Sequence, residues 1–179
     1  MALLTSNAPA PNRWVVAPPN KSLIVGMADM VTSNDASAQL VTYSLGSCVG
    51  ITVYDPEQKV GGMLHAMLPD SNINLARAKD RPYMFIDTGL PALFRAVMGL
   101  GGTRVRLVVK LTGGAQFLDE KKIFNIGELN VQAALALLTR NGMSLSGRVT
   151  GGHDSRTLRL DLSTGEVTID VPGTGVTSL

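Results

Sequence analysis

Apolar positions along this chain come in short runs, many of them alternating with polar ones, and few persist long enough for a helix. That pattern predicts more strands than helices. Leu23-Ile24-Val25 reads as a short buried strand, and Gln39 to Ser44, rich in β-formers, reads as another. Val49 to Tyr54 is a third, followed by Asp55-Pro56-Glu57-Gln58, a turn with proline at its second position, where a fixed φ fits. Lys59 to Leu68 returns as the partner strand through Gly61 and Gly62, a pair that marks a bulge or a close backbone approach. With the turn centred near Pro56 and Glu57, position 48 faces a position around 65. Facing residues of such a pair have β-carbons about 4.5–5.5 Å apart, and a bulge at the glycines would shift the register by one.

Beyond Leu68 the periods change. Pro69 to Pro82 is a polar loop. Met84 to Leu100 has helical spacing, with Phe85, Leu93, Val97 and Leu100 on one side and Pro91 marking a break or a first turn. Arg104 to Leu111 alternates as a strand, and Thr112 to Lys122 is a loop opening with Gly113-Gly114. Asn125 begins a helix that runs to about Arg140, with Glu128 spaced for a capping box and Asn141-Gly142 for a left-handed end. Leu145 to Thr150 is a strand, Gly151-Gly152 opens a loop, and Leu158 to Asp170 is a hairpin around Ser163-Thr164-Gly165. Hairpins plus two helices predict an α+β domain, with the helices packed on a largely antiparallel or mixed sheet system.

Composition changes this picture little. At 179 residues the chain is long enough for one domain with a real core. Aromatics are only 4% of residues, so Val, Leu, Met and Ala must fill that core. A net charge of +2, with scattered basic residues and no run beyond Lys121-Lys122, argues against nucleic-acid binding. No stretch approaches a membrane span. The first 21 residues carry Pro9, Pro11, Pro18 and Pro19, lack the pattern of a signal peptide, and read as a flexible extension before a single domain from 22 to 179. Trp14 within it is either a docking anchor or part of a bare tail. A cytoplasmic location follows as an expectation, since a free thiol suits a reducing compartment.

Cys48 is the only cysteine, set in Leu45-Gly46-Ser47-Cys48-Val49. It reads either as a small buried hydrophobe or as a nucleophile, and the second reading gains from its pairing with His65. A nearby imidazole can take a thiol proton and activate sulfur for acyl transfer. His65, in an apolar stretch, is otherwise an ordinary core histidine. Thr42 precedes Cys48 by six residues; its hydroxyl could orient the imidazole, but by sequence alone it is an ordinary strand threonine. Gly46, Ser47, Gly113, Gly114, Gly151 and Gly152 are candidates for substrate or oxyanion contact, or ordinary turn residues. His153 reads as an exposed loop residue. No cluster has metal-ligand spacing, and no cofactor or metal is expected.

Together these blocks resemble a known family. Thr42, Leu45-Gly46-Ser47-Cys48-Val49, Asp55-Pro56, and His65-Ala66-Met67-Leu68-Pro69-Asp70-Ser71 resemble the CheD family of chemoreceptor glutamine deamidases. The likeness continues through Asp87-Thr88, Gly113-Gly114-Ala115, Asn125-Ile126-Gly127, Asn130, and Gly151-Gly152 with Arg156. The resemblance implies a sandwich similar to that of cytotoxic necrotizing factor toxins. It also implies a protein-glutamine glutaminase that hydrolyses side-chain amides of methyl-accepting chemotaxis receptors and releases ammonia. Its Cys-His-Thr site would fall on Cys48, His65 and Thr42, and a CheC-type phosphatase is an implied partner. The long Pro-rich extension, the position of Phe117 and the 71–82 loop depart from the family pattern. Rival readings are a module that docks receptors or such a phosphatase with little turnover, a thiol redox sensor, and a cysteine peptidase.

Overall fold

The structure, a computed structural model, describes residues 21–116 and 125–179. The Pro-rich extension with Trp14, and Phe117, Lys121 and Lys122, lie outside the described residues. Two five-stranded sheets stack face to face, and two longer helices cover the outer face of one of them. The strands are β1 (Lys21–Ile24), β2 (Asp29–Ser33), β3 (Ala38–Leu45), β4 (Val49–Asp55), β5 (Val60–Ala66), β6 (Val108–Gly113), β7 (Gly147–Thr150), β8 (Arg156–Asp161), β9 (Val167–Val171) and β10 (Gly175–Ser178). The first sheet has the order β1-β3-β8-β9-β10 and the second β2-β5-β4-β6-β7. β1 with β3 and β6 with β7 are parallel, and the other neighbours are antiparallel. This is the mixed-sheet α+β fold expected from the hairpins, arranged as the sandwich that the resemblance implies.

Alternation explains the layers. Along β4, Val49, Ile51 and Val53 point to the helices, while Tyr54 faces the other sheet. Along β5, Leu64 and Ala66 join the helix layer and Met63 the inter-sheet layer. Both central strands are buried on both faces, so they read as apolar runs rather than as clean alternation. The helices are α1 (Leu75–Asp80), α2 (Ile86–Gly99) and α3 (Ile126–Arg140). α2 buries Ile86, Gly89, Leu90, Leu93 and Val97, a stripe of helical period laid on the β4–β5 sheet. Pro91 sits inside α2 without ending it. It removes one N–H from the ladder, and the packed stripe on either side holds the helix together.

Four local expectations change. β1 is an edge strand with Ile24 exposed, and burial begins only at Val25. The 69–82 loop contains a 3-10 turn, Ser71–Ile73, and α1, and runs into a second 3-10 turn, Pro82–Met84. The strand expected from Arg104 begins only at Val108, because Arg104–Arg106 forms a 3-10 turn. Asp55 imposes that turn: it accepts from the Thr103 N–H at 2.8 Å and from Arg106 Nε and Nη2 at 3.1 and 2.9 Å. The capping box at α3 also differs. The Asn125 side chain makes no cap bond and instead bonds Gln116 and Glu128. The other end is as expected, with Gly142 in the left-handed region at φ +62°.

Candidate active site

β3 and β4 belong to different sheets, and the three-residue bend Gly46-Ser47-Cys48 carries the chain from one to the other. Everything at the site hangs on this crossover. β3 supplies Thr42 from the first sheet, the bend supplies Cys48, and β5 supplies His65 from the second sheet. β3 approaches the bend irregularly. Its register with β8 slips between Thr42 and Leu45, with Ser44 at φ +56°. That bulge turns Leu45 back into the inter-sheet core.

The hairpin register differs from the expected one by two residues. Gly61 and Gly62 pair without a bulge, so Gly50 faces His65 and Val49 faces Ala66. The two glycines serve close packing instead, since a β-carbon at Gly62 would lie 2.6 Å from a Leu93 methyl. Cys48 precedes Gly50 by two and packs, half-buried, against the inter-sheet core. His65 points into that same layer, as Met63 does. Thiol and imidazole therefore share a face one diagonal step apart, with glycine between them.

The hydrogen bonds define the imidazole. Thr42 Oγ1 lies 2.8 Å from His65 Nδ1 and donates to the Val25 carbonyl at 2.8 Å. A hydroxyl has one proton. With it directed to Val25, Oγ1 accepts from Nδ1–H, and the ring carries its proton on Nδ1. Nε2 then holds a free lone pair. That atom is buried and has no hydrogen-bond partner among the described residues. Burial pushes the imidazole down from 6.5 to about 4, with Asp29 pulling the other way. Asp29 faces His65 across the β2–β5 pair. Burial pushes the Cys48 thiol up, opposed by its own backbone N–H. At neutral pH the pair rests as thiol and neutral imidazole rather than as an ion pair.

The loop glycines hold the bend. The Gly114 N–H donates to the Cys48 carbonyl at 2.8 Å, and the Ala115 N–H to that of Gly46 at 2.8 Å. Gly113 has φ +102°, and a β-carbon there would sit 2.3 Å from the Cys48 carbonyl oxygen, so only glycine lets the strands approach this closely. The Gly151 N–H donates to the Gly113 carbonyl at 2.9 Å. The N–H groups of Gly114 and Gly151 are thus engaged within the protein rather than offered to a substrate. Buried Arg156 lies beneath, donating to the Gly113 carbonyl at 3.0 Å and to that of Gly151, while its Nε has no partner among the described residues. Gly114, Gln116, Glu128, Gly151, Gly152 and His153 line an open depression of roughly 400 Å³ beside the bend. His153 is exposed, with Nδ1 3.0 Å from the Gln116 carbonyl. A more enclosed apolar cavity of about 200 Å³ lies between α2 and α3, lined by neither thiol nor imidazole.

Two polar groups at the site carry no role in the sequence reading. Asp29 is one, on a strand whose half-buried residues show no alternation. Asn130 is the other. It is fully buried and donates from Nδ2 to the carbonyls of Ser47 at 3.0 Å and Met67 at 2.8 Å. The signal was available: Asn130 falls on the stripe Gly127, Ala134, Leu137 and Leu138, a polar residue where helical spacing calls for an apolar one. Further along, Asp87 in the first turn of α2 accepts from the Ser71 N–H and hydroxyl at 3.0 and 2.6 Å. This fastens the segment that follows β5 to the helix. No group of His, Cys, Asp or Glu suited to a metal ion occurs among the described residues.

The sequence model of the family described as "CheD chemotactic sensory transduction" matches residues 67–171. A protein of Syntrophus aciditrophicus named "Probable chemoreceptor glutamine deamidase CheD 1" is 43% identical over 151 residues, covering 84% of this chain and 94% of the relative. A "Probable chemoreceptor glutamine deamidase CheD" of Solibacter usitatus is 43% identical over 153 residues, covering 86% and 90%. One of Pyrococcus horikoshii is 45% identical over 151 residues, covering 82% and 90%.

Proposed function

The chain belongs to the CheD family, and from that membership we propose that it is a protein-glutamine deamidase acting on methyl-accepting chemotaxis receptors. One observation carries the chemistry. His65 is held by Thr42 as the Nδ1–H tautomer, which leaves the buried Nε2 lone pair without a partner among the described residues, on the face it shares with the only thiol.

In this reading Sγ bonds to the side-chain carbonyl carbon of glutamine as the thiol proton passes to His65 Nε2. The negative charge on the former amide oxygen meets the Cys48 backbone N–H. The carbon–nitrogen bond then breaks, the nitrogen takes the proton from the imidazolium, and ammonia leaves a thioester. Water attacks that thioester while giving a proton to Nε2. The carbon–sulfur bond breaks, Sγ regains its proton, and the side chain departs as glutamate. Thr42 holds the ring, and the Asp29 carboxylate across the strand pair eases the transient positive charge. A CheC-type phosphatase as a second partner belongs to the same reading.

The test is to incubate the protein and Cys48→Ala with the host's receptors and map peptide masses. The expected result is amide-to-carboxylate conversion at selected glutamines by the native protein alone. Binding without a mass change would favour a docking module, and cleaved backbone would favour a peptidase. Ammonia release by Cys48→Ala would overturn the thiol mechanism.

A further inference from the structure

We infer that Asn130 is a positioning residue for this site, acting through the Ser47–Cys48 peptide; the inference rests on the deamidase reading. Its amide nitrogen has two hydrogens, and both are used. One reaches the Ser47 carbonyl at 3.0 Å and the other the Met67 carbonyl at 2.8 Å. Those carbonyls lie one residue before Cys48 and two after His65. A single side chain on α3 thus ties the bend that bears the thiol to the end of the strand that bears the imidazole. No shorter or apolar residue can do this. A planar amide offers two donors at a fixed angle, a carboxylate offers none, and leucine offers none.

The Ser47 carbonyl and the Cys48 N–H belong to one planar peptide. Donation to its oxygen fixes the orientation of its N–H and polarises it, because hydrogen bonds in a chain strengthen one another. That N–H is the donor the proposed oxyanion meets. Asn130 thus reaches the reacting atoms without touching them. Its remaining atom makes the same point from the side of stability. Oδ1 is buried and has no partner among the described residues, a state that costs stability. An apolar side chain among Gly127, Ala134, Leu137 and Leu138 would avoid that cost. Holding the two carbonyls is what an apolar residue could not do.

The experiment compares the full-length protein with Asn130→Leu and Asn130→Asp, alongside Cys48→Ala. Folding is checked by circular dichroism, turnover is measured on receptor, and the Cys48 backbone amide is followed by NMR. Expected is a fall in kcat of about 10- to 100-fold in both variants at pH 8, somewhat less than deleting an oxyanion donor outright. KM should stay within about threefold of native. Asn130→Asp should recover activity as pH falls from 8 to 6, because a protonated carboxyl regains one donor; Asn130→Leu should stay low and flat. The Cys48 amide signal should move upfield in both at pH 8. Turnover within about threefold of native in folded Asn130→Leu would overturn the inference. So would an unmoved Cys48 amide signal, a measurement that needs no turnover. Should Asn130→Leu fail to fold, the pH response of Asn130→Asp decides alone. Absence of glutamine conversion by the native protein sinks the deamidase reading instead, and the two failures are distinguishable.

Discussion

At the turn end of the β4–β5 hairpin, buried Asp55 has every hydrogen bond it can use; at the open end, buried His65 has one ring nitrogen with none among the described residues. Asp55 accepts from the N–H groups of Thr103, Glu57 and Gln58 and from Arg106 Nε and Nη2. Burial alone would raise its carboxyl, but the Arg106 guanidinium and the three backbone donors more than offset this and hold it well below the usual carboxylate range. At the other end, His65 Nε2 and Asn130 Oδ1 are buried without partners among the described residues. An unsatisfied buried polar group costs free energy that a folded core normally avoids. Polar groups are thus spent on folding at one end of the hairpin, while those at the other end keep bonding capacity that the proposed site would use. Unmet bonding at one end of a hairpin, beside a lone thiol, is what the proposed site would show.

The strongest way to break this contrast is to mutate each end and read both activity and stability. His65→Gln should lower turnover by about 1,000-fold or more, since glutamine cannot take a proton. Its stability should stay within about 1 kcal/mol of native, because the lost side chain was only half satisfied. Asp55→Asn should do the reverse. Breaking a buried ion pair typically costs about 3–5 kcal/mol, and Arg106 is partly exposed, which argues for the lower figure. Turnover per folded molecule should be unchanged. Urea titrations and receptor assays on the two variants test this. A large stability loss in His65→Gln, or a catalytic loss in fully folded Asp55→Asn, would erase the distinction.

Much of the turn end was legible in the sequence, and less of the open end. Asp55-Pro56 announces its turn locally, and the flanking β4 and β5 runs are continuous and apolar. The Arg104–Arg106 turn was not legible, because its cause is a carboxylate 48 residues upstream. At the open end Cys48 and His65 stood out by rarity, and hairpin geometry brought them near. The register was off by two, since the sequence centres the turn near Pro56 and Glu57, whereas Asp55 pairs with Val60 and the turn is centred between Glu57 and Gln58. Thr42 could not be chosen from the residues alone, because strand alternation says which face a side chain takes and not what the opposing sheet sets against it. Family resemblance supplied Thr42, and the structure adds the reason it is threonine: one proton for Val25, one lone pair for His65.

Thr42→Val sharpens the contrast at smaller scale. It keeps the shape and removes the acceptor for Nδ1–H. The imidazole should then populate both tautomers, visible in its ring nitrogen shifts, and kcat should fall about 10- to 100-fold. Thr42→Ser keeps the hydroxyl and should retain most of the turnover. Full activity in Thr42→Val would mean the ring is held by packing alone.

Acid separates the two ends without catalysis. His65 titrates near 4 in the fold against 6.5 ordinarily. The fold therefore holds it neutral while the unfolded chain takes a proton between those values. Stability from this group is complete above pH 6.5 and declines as pH falls toward 4, by about 1.4 kcal/mol per pH unit. Asp55 is held below the usual 3.8. Its stability is complete above that value and is lost only as pH falls further, when the unfolded carboxylate protonates and the folded one stays charged. Both ends weaken in acid, in separate windows. Urea midpoints measured from pH 8 to 3 should show two successive declines in the native protein. His65→Gln should flatten the first and leave the second, and Asp55→Asn should do the opposite. If His65→Gln leaves the decline between 6.5 and 4 in place, the buried imidazole is not the group that the open end holds uncharged.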